Sequence, residues 1–250
     1  MKPKIALIGP SHRTHLWKNF YESIITDLDF EVIFVSDIIP DANDLPQPPV
    51  DNFNWFISPV KPAQCFEIAY RSAVKRGANF IVWTGDDFVY APYALDHAYA
   101  MYRSFHDHKV MVSFDVYEDG YEATKFYHQL PWDEKVQLTT SALISVQAIE
   151  EVGGLADKCF VCGHFDVDLQ MRIYANGGRL FVCPTAVAYE PHNQFHKKEA
   201  NFATTRREEL NYFTSLWCKD GVTTWQRQQP FMPYTDDNLL TVSQGPSGKW

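Results

Sequence analysis

Four short apolar runs constrain the fold of this chain more than any other feature: Ile5-Ala6-Leu7-Ile8, Val32-Ile33-Phe34-Val35, Trp55-Phe56-Ile57 and Phe80-Ile81-Val82-Trp83. None alternates polar with apolar residues, so each reads as a strand covered on both faces. Between the first two, Trp17, Phe20, Tyr21, Ile24, Ile25 and Leu28 recur at helical spacing and predict a helix from Trp17 to Leu28. Between the last two, Phe66, Ala69, Tyr70 and Ala73 share one face of a helix from about Pro62 to Lys75, which Gly77 ends. This alternation implies an α/β fold with a mostly parallel central sheet and helices on both faces. In such sheets ligands bind beyond the carboxyl ends of the strands, where Asp37 and Asp86-Asp87 stand.

The later sequence changes character. A helix is expected near Tyr93 to Phe105, a strand near Val110 to Phe114, an irregular region to Trp132, and a strand or strand-helix piece from Leu138 to Val146. A further strand is expected from Leu180 to Val182, followed by a segment from Ala186 to Glu190. We expect one domain over residues 1–220 and a C-terminal extension over 221–250, packed on the domain or partly disordered. Trp225, Phe231 and Tyr234 argue for docking of that extension.

A formal charge of -9 over 250 residues opposes a broad grip on polyanions, although a local basic patch can still hold a phosphate. No run of about 18 apolar residues is present, and the apolar stretch after Lys4 is too short for a signal segment, so a soluble cytoplasmic protein without a transmembrane segment is expected. Five cysteines are an odd number, which in that setting implies reduced thiols. Cys159-x-x-Cys162 with His164 lacks the second ligand pair of a structural zinc site.

Two acidic clusters carry the chemistry. Asp86 and Asp87 follow a buried strand, where adjacent carboxylates suit a hard divalent cation, Mn²⁺ or Mg²⁺; the other reading is a turn cap. Asp166-Val167-Asp168 opens a helix-like run to Asn176, with Asp166 either a catalytic acid or an N-cap. Asp168 and Arg172, spaced i, i+4, read as a surface pair worth a few tenths of a kcal/mol.

The stretch from Ala148 to Leu155 (Ala-Ile-Glu-Glu-Val-Gly-Gly-Leu), followed by Gly163-His164-Phe165-Asp166-Val167-Asp168-Leu169, Arg172 and Gly177-Gly178, resembles the second half of the family 2 glycosyltransferases with the GT-A fold. The family pattern is a Val-Gly-Gly-Phe turn, then Glu-Asp-x-Asp-Leu, then Arg and Gly. Glu31 to Asp37 resembles the strand ending in the nucleotide-contacting acid, and Ala78 to Asp87 the strand ending in the Asp-x-Asp metal motif. Two departures stand out: Gly85 replaces the first acid of that motif, and Phe165 stands where the family has Glu.

The resemblance implies a GT-A-like single domain that moves a sugar, with inversion, from a nucleotide-diphosphate sugar to an acceptor hydroxyl. By the same resemblance Asp37 contacts the nucleoside, Asp87 and Asp86 hold the metal with His192, and Asp166 is the base. Gly9-Pro10-Ser11-His12 lacks the Gly-x-Gly-x-x-Gly of a dinucleotide fold, and the resemblance implies that it borders the nucleotide pocket instead. Lys197 and Arg206, among His196, Lys198 and Arg207, form either a cover over the pyrophosphate or a solvated helix face. His192 is otherwise an exposed loop histidine. The acceptor is a glycan, a lipid carrier, a protein or a modified nucleobase; a sugar-phosphate nucleotidyltransferase and a non-catalytic nucleotide-sugar-binding module stay open as alternatives.

Overall fold

The computed structural model describes residues 3–118, 128–190 and 200–240. Its elements run β1 (Lys4–Ser11), α1 (Trp17–Ser23), β2 (Asp29–Ser36), β3 (Phe53–Ile57), α2 (Pro62–Lys75), β4 (Phe80–Trp83), β5 (Val89–Tyr90), α3 (Ala94–Ser104) and β6 (Val110–Glu118). They continue β7 (His128–Leu130), β8 (Asp133–Leu138), β9 (Ala142–Ser145), α4 (Val146–Glu151), α5 (Phe165–Ala175), β10 (Arg179–Glu190), α6 (Ala200–Trp217), β11 (Cys218–Lys219), β12 (Val222–Thr223) and α7 (Asp236–Leu239).

The main sheet has the order β3-β2-β1-β4-β9-β6-β10-β5. Strands β3, β2, β1 and β4 are parallel, as are β6 and β10, while β9 and β5 pair antiparallel with their neighbours. Both faces of the central strands are covered, which is why their sequences are apolar throughout. Ala6, Ile8, Ile81 and Trp83 face a core shared with α2, α5 and α6; Ile5, Leu7, Phe80 and Val82 face a second core containing Trp17, Phe20 and α3.

Three expectations needed correction. The helix from Trp17 stops at Ser23, and Ile24 is extended at ψ 94°. Ile24-Ile25-Thr26 is a β-branched run with poor helix propensity, and the Ser23 hydroxyl donates to Phe20 O (2.7 Å) while accepting from Tyr90 N (3.0 Å), fixing the exit. The third apolar run is an edge strand with Trp55, Phe56 and Ile57 each at least 38% exposed. Asp168 and Arg172 are not a surface pair, because both side chains are buried.

That buried pair anchors the chain's last described segment. Asp168 accepts from Arg172 Nε (2.9 Å), Trp217 Nε1 (2.9 Å) and Arg227 Nε (3.1 Å), and Arg227 also donates to Asp157 (2.6 Å). A carboxylate taken wholly out of water is tolerable only with such a full set of donors. Arg172 additionally donates to the carbonyls of Val152, Gly154 and Leu155, holding the Gly153-Gly154 turn. Gly153 and Gly154 have φ of 99° and 125°, and a Cβ on Gly153 would meet the Phe231 ring at 3.0 Å. Phe231 in turn lies over the Arg172 guanidinium at 4.2 Å, a cation–π contact. Farther on, Tyr234 donates to Phe160 O (2.9 Å) and Leu239 O accepts from Gln64 (3.0 Å), so residues 227–239 pack along α2 and α5.

Arg227→Ala should therefore cost about 3–5 kcal/mol in urea unfolding, since it takes one cation away from two buried carboxylates. Lys18→Ala, which removes an exposed pair to Glu22 at 3.9 Å, should cost less than about 0.5 kcal/mol in the same measurement.

Candidate functional site

Three of the sequence-predicted acids, Asp37, Asp86 and Asp87, gather around the turn that leaves β1. Gly9 lets β1 and the end of β4 approach, because a Cβ there would lie 2.2 Å from Thr84 O. The three residues after Pro10 then each take hold of an acid. Ser11 Oγ donates to Asp86 Oδ2 (2.6 Å) and accepts from Trp17 Nε1 (2.6 Å). His12 Nδ1 lies 2.7 Å from Asp37 Oδ1, both side chains being exposed. Arg13 donates through its backbone N–H to Asp86 Oδ2 (3.0 Å) and through its guanidinium to Asp86 Oδ1 and to Asp87 Oδ2, the last at 2.7 Å.

This geometry ranks the two aspartates. Both are buried, but Asp86 has both oxygens engaged, by Ser11 and by Arg13 backbone and side chain, whereas Asp87 gives one oxygen to Arg13. Asp86 thus secures the turn and Asp87 is the acid more available to a ligand. The glycine at 85 has a steric reason as well: a Cβ there would press on Asp87 Oδ1 at 2.4 Å and on the Phe88 ring at 3.3 Å. Arg13 was not singled out by sequence reasoning; its signal is its place, directly beyond the carboxyl end of the first buried strand. Its own pKa is raised, as Asp86 and Asp87 outweigh the desolvation that acts to lower it.

Asp166 sits in the first turn of α5, half-buried. Two clamps hold that turn. Glu209 of α6, fully buried, accepts from the backbone N–H groups of Val161 (2.5 Å), Cys162 (2.7 Å) and Gly163 (2.9 Å), closing the loop that enters α5 through His164 at φ 56°. Phe165 points into the core and packs on Phe66 of α2, ring centroids 4.6 Å apart and tilted by 41°, so the residue standing where the resembled family has Glu is a packing residue. A hydrogen-bond path then links Asp166 to the acid pair's strand. Gln170 donates to Asp166 O (3.2 Å) and Thr139 O (2.9 Å), the Thr139 hydroxyl donates to Ser141 O (3.1 Å), and the Ser141 hydroxyl donates to Trp83 O (2.8 Å).

Other expected residues stand apart or outside the described residues. Arg206 is exposed on α6; His192 and Lys197 lie outside the described residues. All five cysteines are free thiols, and burial raises Cys159 and pushes Cys162 up to about 12, so neither is a thiolate at neutral pH. Among the described residues no three His, Cys, Asp or Glu side chains come together as a metal site. Two carboxylates nonetheless fit a Mg²⁺-type ion, which keeps waters and substrate phosphates as its other ligands. Among the described residues no helix is long and apolar enough to cross a membrane.

No family model matches the chain, and no curated relative matches its sequence. Its fold is similar to that of S. aureus TarS. TarS residues 1–349 align at 14% identity with a TM-score of 0.56, covering 84% of this chain and 63% of that one. The same fragment bound to UDP-GlcNAc gives 14% identity, a TM-score of 0.56 and coverages of 84% and 64%. Its UDP complex gives 13%, 0.58, 85% and 64%. This chain therefore spans less than two thirds of those structures. The likeness is one of fold, and the expected GT-A-like α/β architecture is borne out by it.

Arg13→Ala frees the acid pair. It should lower stability by roughly 2 kcal/mol, and Mn²⁺ should then raise the melting temperature of the variant more than that of the wild type. An equal Mn²⁺ response would show that Arg13 does not compete for these carboxylates.

Proposed function

We propose that this protein transfers a sugar from a nucleotide-diphosphate sugar to an acceptor hydroxyl, with inversion and with help from a divalent cation. The observation that carries this reading is the gathering of Asp37, Asp86 and Asp87 by Ser11-His12-Arg13 at the carboxyl edge of the sheet. The fold likeness to a protein solved with UDP-GlcNAc and with UDP supports it.

Each residue has a defined task on this reading. Asp37 and His12 face the nucleoside at the end of β2. Asp87, with Asp86 behind it and His192 as the expected third ligand, would hold Mn²⁺ or Mg²⁺, which when bound stabilises charge on the departing diphosphate. Arg13 must let go of Asp87 for this, and its guanidinium is then a fork suited to phosphate oxygens. Arg206 and Lys197 are the basic residues expected to cover the pyrophosphate. Asp166, carried at the positive end of α5, accepts the proton of the incoming hydroxyl. Attack opposite the leaving diphosphate inverts the anomeric carbon.

Arg13 also favours a second reading. A guanidinium already resident on the acid pair could neutralise a bound diphosphate without any metal, giving a nucleotide-sugar-binding module. Calorimetry separates the two: nucleotide affinity that is independent of Mn²⁺, with no turnover, belongs to the module.

Nucleotide sugars screened by thermal shift with and without Mn²⁺ should reveal one stabilising donor. With that donor, Asp87→Asn and Asp166→Asn should each lower transfer by about 100-fold or more. Wild-type rates in both variants would refute the assignment.

A further inference from the structure

One buried acid takes no part in the chemistry above. On β6 the side chains of Phe114 and Val116 enter the core that contains α3, so Ser113, Asp115 and Tyr117 face the opposite side, which carries α5. Asp115 is 7% exposed, and among the described residues its Oδ1 is buried without a hydrogen-bond partner. Among the described residues its Oδ2 accepts a single long bond, from the Tyr117 hydroxyl at 3.3 Å. Burial lifts its pKa above the ordinary aspartate value against that bond, as expected of a carboxylate short of donors. Leaving such an acceptor unsatisfied is costly.

Beside this acid lies an aromatic surface. Tyr117 is in register with Tyr189 of β10, their rings are 5.8 Å apart and tilted by 33°, and Tyr189 is 48% exposed. Tyr189 is also paired across the antiparallel β10–β5 contact with Val89, two residues beyond Asp87. On its other flank, Ser113 meets Thr139 (2.5 Å), whose backbone N–H donates to Gln170 (2.7 Å), the residue that also holds Asp166 O. Strand register thus ties the patch to the segment just after Asp87, and a hydrogen-bond relay from Ser113 ties its strand to the first turn of α5. The patch lies on the side of β4 away from Asp37 and β2.

Resting on the transferase reading, we propose that Asp115, Tyr117 and Tyr189 form a subsite for a pyranose of the acceptor saccharide. A pyranose offers an apolar C–H face to a flat ring and hydroxyl donors to a carboxylate, which is the pair of groups present. A phosphate or a nucleotide diphosphate is repelled by Asp115, so the donor's charged part belongs at Arg13.

The test uses saturation-transfer NMR on the full chain with glucose, N-acetylglucosamine, maltose and lactose at millimolar concentration, repeated with UDP-GlcNAc present, and a separate UDP titration. At least one saccharide should bind the wild type, keep binding with UDP-GlcNAc present, and lose about tenfold in affinity in both Asp115→Asn and Tyr189→Ala. Should Asp115→Asn fail to fold, the half-exposed Tyr189 decides. Saccharide affinity that neither variant lowers, or no saccharide bound by the wild type, overturns the proposal; displacement by UDP-GlcNAc would assign the subsite to the donor sugar and overturn it too. UDP binding without saccharide binding removes the subsite alone. Saccharide binding without UDP binding removes the donor reading and leaves the subsite.

Discussion

A single buried carboxylate, Asp168, sets the conditions for the rest of this site. It cannot be left alone in the interior, so it draws in Arg172 from its own helix, Trp217 from the end of α6 and Arg227 from the segment beyond. Those three donors fix where α5 lies relative to α6 and to the Gly153-Gly154 turn. Asp166, two residues earlier on α5, is consequently placed by the packing of the whole C-terminal half. The C-terminal segment is thus part of the framework of the site, with Phe231 closing over the two arginines and the glycine turn.

The acid pair has a different kind of constraint. Asp86 and Asp87 are adjacent like charges in a buried position, which requires a cation beside them. In the structure that cation is Arg13, delivered by the turn after β1. The same arrangement explains the glycine at 85, where a side chain would push against the Asp87 carboxylate. A site neutralised from within can stay folded before any ligand arrives, and on the proposed function it opens when the guanidinium moves from carboxylate to phosphate.

Much of this was legible in the sequence, for physical reasons that differ by element. Strands β1, β2 and β4 were readable because central strands of a parallel sheet are apolar on both faces, and α2 because Phe66, Ala69, Tyr70 and Ala73 keep helical spacing. The end of α1 was hidden, since Ile24 and Leu28 continue the helical spacing while the β-branched run Ile24-Ile25-Thr26 and the Ser23 hydroxyl stop the helix. The edge position of β3 was invisible because edge and centre are decided by pairing partners, not by composition. At the site, adjacency in sequence located Asp86, Asp87 and Asp166. It could not reveal Arg13, Glu209 or the burial of Asp168, each of which depends on partners about 40 to 75 residues away.

The central claim is that the acid pair and Arg13 receive the diphosphate of a sugar donor. The most direct measurement is product analysis by ion-exchange chromatography after incubation with UDP-, GDP- and dTDP-sugars and Mn²⁺, for the wild type and for Asp87→Asn. The account predicts release of the nucleoside diphosphate from one donor, lost in the variant. Pyrophosphate formed from a nucleoside triphosphate and a sugar phosphate, or nucleoside diphosphate released equally by both proteins, would contradict it.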